Sequence, residues 1–262
     1  MTQRTELLII GNEILSGRTL DKHSQWLAQQ LFSRGLPVSC IQVVEDNATS
    51  IAQAIHDARK RNTTLLITSG GLGPTFDDLT AQGLALATDT QLKLNSNALH
   101  MVTRRYTQLK NQGLIESGTL TPQRRKMAFI PEGTEPLPNP VGTAPGLQMQ
   151  VGSTTIYCLP GVPEELHSMF LQEVDPRIAH LSDKVLLQKV TQLDIYEEAK
   201  LAPILEQVMQ RFSEIYLKSL PRPHRARKPL KVAVTVTSAT EKEAKQLIRR
   251  VIEALQEAIR RH

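Results

Sequence analysis

The chain has few cysteines and few aromatic residues. Its two cysteines, Cys40 and Cys158, each lie inside an apolar run, and no CxxC or Cys/His ligand spacing is present. We therefore expect buried, reduced thiols and no cysteine-based metal site or nucleophile. Aromatic residues make up only 4% of the sequence, and none alternates with the basic residues. This scarcity argues against a stacking surface for single-stranded nucleic acid.

Long apolar runs and several well-known catalytic motifs are also missing. No apolar stretch approaches the roughly 18 residues of a membrane span, and the N-terminus shows no signal-peptide pattern before the apolar run at 7–10. We expect a cytoplasmic protein without a membrane partner. No Gly-Lys-Ser/Thr, GxGxxG, HExxH or GxSxG pattern occurs. Their absence argues against ATP-driven kinase chemistry, Rossmann-type dinucleotide binding, zinc-protease chemistry and serine-hydrolase chemistry.

The remaining composition is that of a globular protein with one large or two modest domains. Of the 262 residues, 40% are apolar and 22% are charged. The net charge of +5 comes largely from the C-terminal region, where basic residues cluster at 224–228, 249–250 and 260–262. Charge runs of this kind usually form solvated faces, and we expect no nucleic-acid partner.

Strand and helix patterns alternate through the first two thirds of the chain. Apolar runs indicate strands at 6–10, 36–44, 65–68 and 154–159, and helical spacing occurs at 22–32, 47–61, 77–86, 91–111 and 163–169. This alternation predicts a three-layer αβα domain with a mostly parallel sheet over residues 1–178. Five prolines between Pro131 and Pro145 predict a long loop without regular structure.

The pattern changes after about residue 178. Strands are indicated at 185–193, 215–218 and 230–237, and helices at 196–212 and 241–262. The order β-α-β-β-α predicts a smaller α+β domain with one helical layer over residues 179–262.

The most informative segment is the turn after the third strand. It reads Thr68-Ser69-Gly70-Gly71-Leu72-Gly73-Pro74-Thr75-Phe76-Asp77-Asp78-Leu79-Thr80. Glycine lets backbone N–H groups approach an anion closely, and a helix N-terminus adds partial positive charge. Asp77 and Asp78 would repel a phosphate unless a cation lay between them. The segment predicts a metal-bridged phosphate site; the alternative is that Asp77 or Asp78 only caps the following helix.

Further turns fall where an open parallel sheet binds ligands, beyond the carboxyl ends of its strands. Residues 11–17 and 160–165 contain glycine and follow predicted strands, and the proline loop adds residues 139–146. Because all of these turns can face one rim of the sheet, together they predict a ligand site more strongly than any one of them alone.

These segments, in this order, resemble the CinA (competence/damage-inducible protein) family. The matching motifs are Gly-Asn-Glu-Ile-Leu-Ser-Gly, Ser-Gly-Gly-Leu-Gly-Pro-Thr-Phe-Asp-Asp-Leu-Thr, Pro-Glu-Gly-Thr, Asn-Pro-Val-Gly-Thr-Ala-Pro-Gly and Leu-Pro-Gly-Val-Pro-Glu-Glu. The resemblance covers about residues 4–178 and implies the molybdopterin-binding fold of MogA and MoaB. Residues 179–262 resemble the family's KH-like domain but contain no glycine for a Gly-X-X-Gly loop. The chain ends before the family's amidase domain, so we expect no deamidation of nicotinamide mononucleotide.

The resemblance also implies roles for individual residues. Asp77, Asp78 and Glu13 would be catalytic and would bind a divalent cation (Mg, Co, Mn or Ni), with K⁺ as an accessory ion. The ligand would contact Gly11, Asn12, Ser69, Gly70, Gly71, Gly73, Thr75, Asn139, Gly142, Thr143 and Gly161. The chain departs from many relatives in having Asn12 in place of Asp and Lys22-His23 in place of Thr-Asn.

Three functions follow as hypotheses. The first, implied by the resemblance, is a metal-dependent nucleotide pyrophosphohydrolase that splits ADP-ribose into AMP and ribose 5-phosphate, as a homodimer. The second is a molybdopterin-binding protein of molybdenum cofactor metabolism, as in the sister lineage. The third is a non-catalytic nucleotide-binding protein that uses the basic C-terminal domain.

Overall fold

Two compact units make up the chain in a computed structural model. The structure describes residues 3–221 and 228–261, so the basic residues at 224–227 and the predicted helix end at 262 lie outside it. One unit contains Met1–Gln29 and Pro37–Leu181, and the other contains Gln30–Leu36 and Ser182–His262. Among the described residues, no helix is both long and apolar enough to cross a membrane.

A six-stranded sheet forms the centre of the first unit. The strands in chain order are β1 Thr5–Ile10, β2 Val38–Val44, β3 Leu65–Ser69, β4 Leu92–Leu94, β5 Phe129–Pro131, β6 Glu135–Leu137, β7 Gly146–Val151 and β8 Thr154–Leu159. The sheet has the order β2-β1-β3-β8-β7-β6, and β4 pairs with β5 separately. The pairings β2-β1, β1-β3 and β3-β8 are parallel, whereas the pairings β8-β7 and β7-β6 are antiparallel. Every residue of β1 and β3 is buried, as the unbroken apolar runs of a covered parallel sheet require.

Helices cover this sheet and begin at recognisable signals. Their bounds are α1 Asn12–Leu15, α2 His23–Ser33, α3 Ala48–Lys60, α4 Thr80–Thr88, α5 Ser96–Asn111, α6 Pro122–Lys126, α7 Pro163–Met169 and α8 Asp175–Ile178, with a π-helical turn at Phe170–Val174. The side chain of Asn47 caps α3 by accepting hydrogen bonds from the N–H groups of Thr49 and Ser50, at 2.9 and 3.1 Å. Such a cap is worth about 1 kcal/mol.

The proline-rich segment contains two strands, which corrects the expectation of a long irregular loop. Phe129–Pro131 and Glu135–Leu137 are β5 and β6, and β6 pairs with the unpredicted strand β7. Pro136 is compatible with β6 because β6 is the edge strand of the sheet. The irregular parts are the short turn at 132–134 and the turn between β6 and β7.

A buried carboxylate holds two parts of the first unit together. Glu6 on β1 is 2% exposed and forms ion pairs with Arg4 at 2.8 Å and Arg61 at 2.6 Å. Burial raises the pKa of Glu6, but the hydrogen bonds from Arg61 and Arg4 outweigh that effect and leave the pKa below its usual value.

The second unit has a three-stranded antiparallel sheet. Its elements are β9 Val185–Leu193, α9 Glu198–Arg211, β10 Ile215–Ser219, β11 Leu230–Ser238 and α10 Glu241–Arg260, with the strand order β10-β11-β9. Its core joins the apolar faces of α9 and α10 to alternate residues of β11, such as Val232, Val234 and Val236. A mostly parallel α/β unit followed by a small α+β unit confirms the predicted fold class.

Candidate functional site

The carboxyl ends of β2, β1, β3 and β8 meet at one rim of the sheet and surround a cavity of about 350 Å³. We call it the rim cavity. Among its lining residues, those that sequence reasoning predicted are Glu13, Gly70, Gly71, Gly73, Thr75, Asp77, Asp78, Thr143 and Gly161. Four separate turns therefore come together in space, as the open parallel sheet requires.

The turn at 70–73 needs glycine for steric reasons. Gly70 and Gly71 have φ values of +112° and +66°, in the region that favours glycine. A Cβ on Gly70 would lie 2.2 Å from the carbonyl oxygen of Ile10, and one on Gly71 would lie 2.4 Å from Oγ1 of Thr80. Thr80 fixes the turn, because its Oγ1 donates a hydrogen bond of 2.7 Å to the Gly70 carbonyl. The backbone of this turn thus lines the cavity and is held in place.

Asp77 and Asp78 precede the next helix and do not cap it. Helix α4 begins at Thr80, and its N-cap position, Leu79, makes no side-chain capping bond. Oδ2 of Asp78 instead accepts hydrogen bonds from the N–H and the hydroxyl of Thr75, at 2.7 and 2.5 Å. The hydroxyl of Thr75 also contacts Oδ1 of Asp77, and this hydrogen bond lowers the pKa of the exposed Asp77. These bonds close a turn that places both carboxylates at the cavity.

Lys126, from a distant part of the chain, forms hydrogen bonds to the same turn. Its Nζ donates hydrogen bonds to the carbonyl oxygens of Thr75 and Asp78, the latter at 2.8 Å. Burial lowers the pKa of this amine, and the nearby charges of Asp78 and Asp77 partly counteract that effect. Lys126 thus both stabilises the turn and offsets part of its negative charge.

A fourth carboxylate, Asp46, lines the rim cavity beside Glu13, Asp77 and Asp78. Burial raises the pKa of Asp46, and the charges of the other three carboxylates raise it further, although the N–H of Asn12 donates to Oδ2 of Asp46 at 2.7 Å. Within residues 3–221 and 228–261, however, no three His, Cys, Asp or Glu side chains are close enough together to hold a metal ion. The carboxylates therefore form an acidic rim and not a preformed metal centre.

Five predicted ligand contacts do not line the rim cavity: Gly11, Asn12, Ser69, Asn139 and Gly142. Gly11 precedes α1, where a Cβ would lie 2.7 Å from Oε1 of Glu13, and Asn12 pairs with Asp46. Asn139 donates to the Ala144 carbonyl at 2.9 Å and to Glu165 at 2.7 Å, while its Oδ1 accepts from the N–H of Gly142 at 2.8 Å. Asn139 and Gly142 therefore shape the wall of the rim cavity indirectly, because Thr143 and Ala144 of the same turn line it.

Ser69, the remaining predicted contact, faces a second cavity of about 440 Å³ that shares Glu13 and Gly161 with the rim cavity. Oγ of Ser69 lies 2.9 Å from Nδ1 of His23, the first residue of α2. Burial lowers the pKa of His23, with smaller opposing effects from the charges of Asp21 and Glu13. His23 is therefore a half-buried hydrogen-bond partner of Ser69.

Comparison with known proteins identifies the family. A family model described as a probable molybdopterin binding domain matches residues 6–180, which include every residue of both cavities. The chain belongs to this family. The protein PH0439 of Pyrococcus horikoshii is 41% identical over 217 residues, which cover 83% of this chain and 84% of that protein. A protein of Pyrobaculum arsenaticum is 37% identical over 256 residues, which cover 97% and 94% of the two chains.

A solved structure agrees with this membership of the molybdopterin-binding-domain family. The crystal structure described as the protein CinA with unknown function, from Thermoplasma acidophilum, is 36% identical with a TM-score of 0.60. The match covers 68% of this chain and 99% of that one. The resemblance to CinA stated from the motifs is confirmed for the part of the chain that this structure covers.

Three residues of this molybdopterin-binding-family site were not predicted from the sequence. Asp46 could have been found, because it follows β2 and the carboxyl ends of neighbouring parallel strands share one rim. Glu165 lies in a predicted rim turn, but only the structure shows that it accepts a hydrogen bond from Asn139. Lys126 lies 48 residues from its partner Asp78, and no local pattern indicates this contact.

Proposed function

We propose that this chain binds a phosphate-bearing pterin of the molybdopterin type in the rim cavity. The observation that supports the proposal is that the family match, residues 6–180, includes a cavity lined by a glycine-rich backbone turn. The N–H of Gly70 donates to the carbonyl oxygen of Leu159 at 3.0 Å, so the N–H groups later in the turn would be the ones to bind phosphate oxygens. Glycine suits them to this role, because no Cβ blocks the approach of the anion. Tight packing of Gly70 against β1 keeps this surface preorganised, which limits the ordering cost of binding.

The first test is a calorimetric titration of the 262-residue chain with molybdopterin under anaerobic conditions. Gly161→Val is the informative variant, since Gly161 lines the cavity and a Cβ there would meet only the Cα of Gly70, at 3.4 Å. The Cβ itself would be in ordinary van der Waals contact with the backbone, and we expect the valine side chain to narrow the site. We expect the wild-type chain to bind and the variant to bind at least tenfold more weakly, a difference of about 1.4 kcal/mol.

Gly118→Val is the matched control for this titration. Gly118 has no positive φ and lies away from the rim cavity, and a Cβ added there would come closest to the Tyr106 carbonyl oxygen, at 3.3 Å. This variant should therefore bind like the wild type. Failure of the wild-type chain to bind the pterin, or equal binding by Gly161→Val, would contradict the proposal.

A second candidate is hydrolysis of ADP-ribose to AMP and ribose 5-phosphate with a divalent cation. The observation in its favour is that Glu13, Asp46, Asp77 and Asp78 all line the cavity that contains the glycine turn. A diphosphate could reach such an acidic rim only with cations that screen its charge. Incubation with ADP-ribose and Mg²⁺, Co²⁺, Mn²⁺ or Ni²⁺, with and without K⁺, and separation of the products would test this candidate. Release of no AMP with any cation removes it and leaves the binding proposal unaffected.

A further inference from the structure

A separate cavity of about 270 Å³ adjoins the rim cavity along the glycine turn. It shares Gly71, Leu72, Gly73 and Asp78 with the rim cavity, so one ligand can reach both spaces past the same stretch of backbone. The remaining walls are mainly apolar and include Leu92, Pro122, Met127, Phe129 and Leu147. We call this cavity the apolar slot.

The apolar slot contains one polar group with unused hydrogen-bonding capacity. Gln82 on α4 lines the slot, and its side-chain amide has no hydrogen-bond partner among the described residues. Lys126 also lines the slot, but its Nζ already donates to the carbonyl oxygens of Thr75 and Asp78. A primary amide has donors and an acceptor side by side. It can therefore pair with a heterocycle whose edge carries an acceptor next to a donor.

We propose that the apolar slot binds the flat nitrogen heterocycle of the ligand whose phosphate lies on the glycine turn, with the Gln82 amide bonded to the edge of the ring. This inference rests on the proposed function for the phosphate position. The inference places the ring away from the turn at 139–146, because the Asn139 amide is occupied by bonds to Ala144, Glu165 and Gly142. Apolar walls with one convergent polar group are the usual environment for such a ring.

The slot offers a closely matched pair of variants. Phe129 on β5 and Leu94 on β4 are directly paired across their two-stranded sheet, and each is 37% exposed. Phe129 lines the slot and Leu94 does not. Phe129→Ala and Leu94→Ala therefore remove comparable apolar groups from the same small sheet, and only the first alters the slot. Gln82→Leu replaces the polar amide with an apolar side chain of similar size.

The experiment measures dissociation constants of the full chain for three probes by calorimetry. 6-Hydroxymethylpterin phosphate carries a pterin ring, AMP carries a purine ring, and ribose 5-phosphate has a phosphate without a ring. For whichever ring probe the wild type binds more tightly, we expect Phe129→Ala to raise the dissociation constant about tenfold. Gln82→Leu should raise it about fivefold, as expected for one lost hydrogen bond. Leu94→Ala should match the wild type, and no variant should change the affinity for ribose 5-phosphate.

Each alternative outcome has a definite meaning. Tighter binding of the pterin probe or of AMP identifies which ring the slot prefers, and either supports the inference. Ring probes that bind the wild type and both slot variants equally well would overturn the slot while the proposed function stands. If the slot variants lose as much affinity for ribose 5-phosphate as for the ring probes, the inference is also overturned, because the substitutions would then act on the glycine turn that binds the phosphate. If the wild type binds neither ring probe, the slot and the pterin proposal fail together.

Discussion

Asp77 and Asp78 are adjacent in the sequence, yet the structure gives them different environments. Asp78 accepts a hydrogen bond from the backbone N–H of Thr75 at 2.7 Å and so closes the turn. Asp77 is exposed, and its carboxylate bonds to the Thr75 hydroxyl and to its own backbone N–H. We expect Asp78→Ala to lower the free energy of unfolding by about 1 kcal/mol, the usual cost of one such hydrogen bond. Asp77→Ala should leave the melting temperature unchanged.

Amide hydrogen exchange at Thr75 tests whether Asp78 alone stabilises the turn or whether Asp77 and Asp78 contribute equally. Exchange should accelerate in Asp78→Ala, because the Thr75 N–H loses its acceptor, and should stay slow in Asp77→Ala. Equal acceleration in the two variants would show that the turn does not depend on Asp78.

His23 gives the rim a pH dependence at the residue scale. Burial lowers its pKa, so at mildly acidic pH the unfolded chain binds a proton at this residue that the folded chain does not. The stability associated with neutral His23 is therefore complete above the ordinary histidine pKa of about 6.5 and is lost as pH falls through the lower folded-state value.

Chemical unfolding at pH 7.5 and pH 5.5 tests this dependence. The wild type should lose more unfolding free energy between the two values than His23→Asn, which has no titrating group at this position. Equal losses in the two proteins would mean that His23 titrates alike in the folded and unfolded chains.

At the scale of elements, the turn between β6 and β7 depends on Asn139. Its amide bonds to Ala144, Glu165 and Gly142 at 2.9, 2.7 and 2.8 Å, and Arg105 adds a bond of 2.9 Å to the Gly142 carbonyl. We expect Asn139→Ala to lower the free energy of unfolding by about 2 kcal/mol, since three part-buried groups lose a hydrogen-bond partner.

Ligand titration of the same variant distinguishes a structural role for Asn139 from direct contact with the ligand. Loss of unfolding free energy together with faster amide exchange at Gly142 supports the structural role. A folded variant with wild-type melting temperature and weak ligand binding would instead indicate that Asn139 contacts the ligand. Asn12→Ala, which removes the weaker 3.4 Å bond from the Asp46 N–H, is a suitable comparison.

The elements show where sequence reasoning succeeds and where it stops. The buried strands β1 and β3 were predicted because an unbroken apolar run has few alternatives in a covered sheet. β6 was missed because proline density between Pro131 and Pro145 was interpreted as irregular structure, although an edge strand tolerates Pro136. Helix α4 begins at Thr80 and not at residue 77, because the carboxylates of Asp77 and Asp78 bond to Thr75. Side-chain bonds of this kind have no periodic signature.

At the scale of the whole molecule, all residues of the rim cavity and of the apolar slot belong to the first unit. The site could be predicted in outline because the carboxyl ends of parallel strands meet at one edge. The partners that fix its turns, such as Lys126 and Glu165, could not, since these contacts join residues far apart in the chain. A KH-like character of the second unit and a homodimer stay predictions.

The central claim is that the glycine turn at the rim binds the phosphate of a pterin. Its most direct test is an NMR titration of the ¹⁵N-labelled full chain with molybdopterin, read at the backbone amides. We predict saturable shifts at Gly70, Gly71, Gly73 and Gly161, and none at β11 of the second unit, whose residues line neither cavity. Saturable shifts confined to other parts of the chain, or no shifts at these glycines at saturating pterin, would contradict the account.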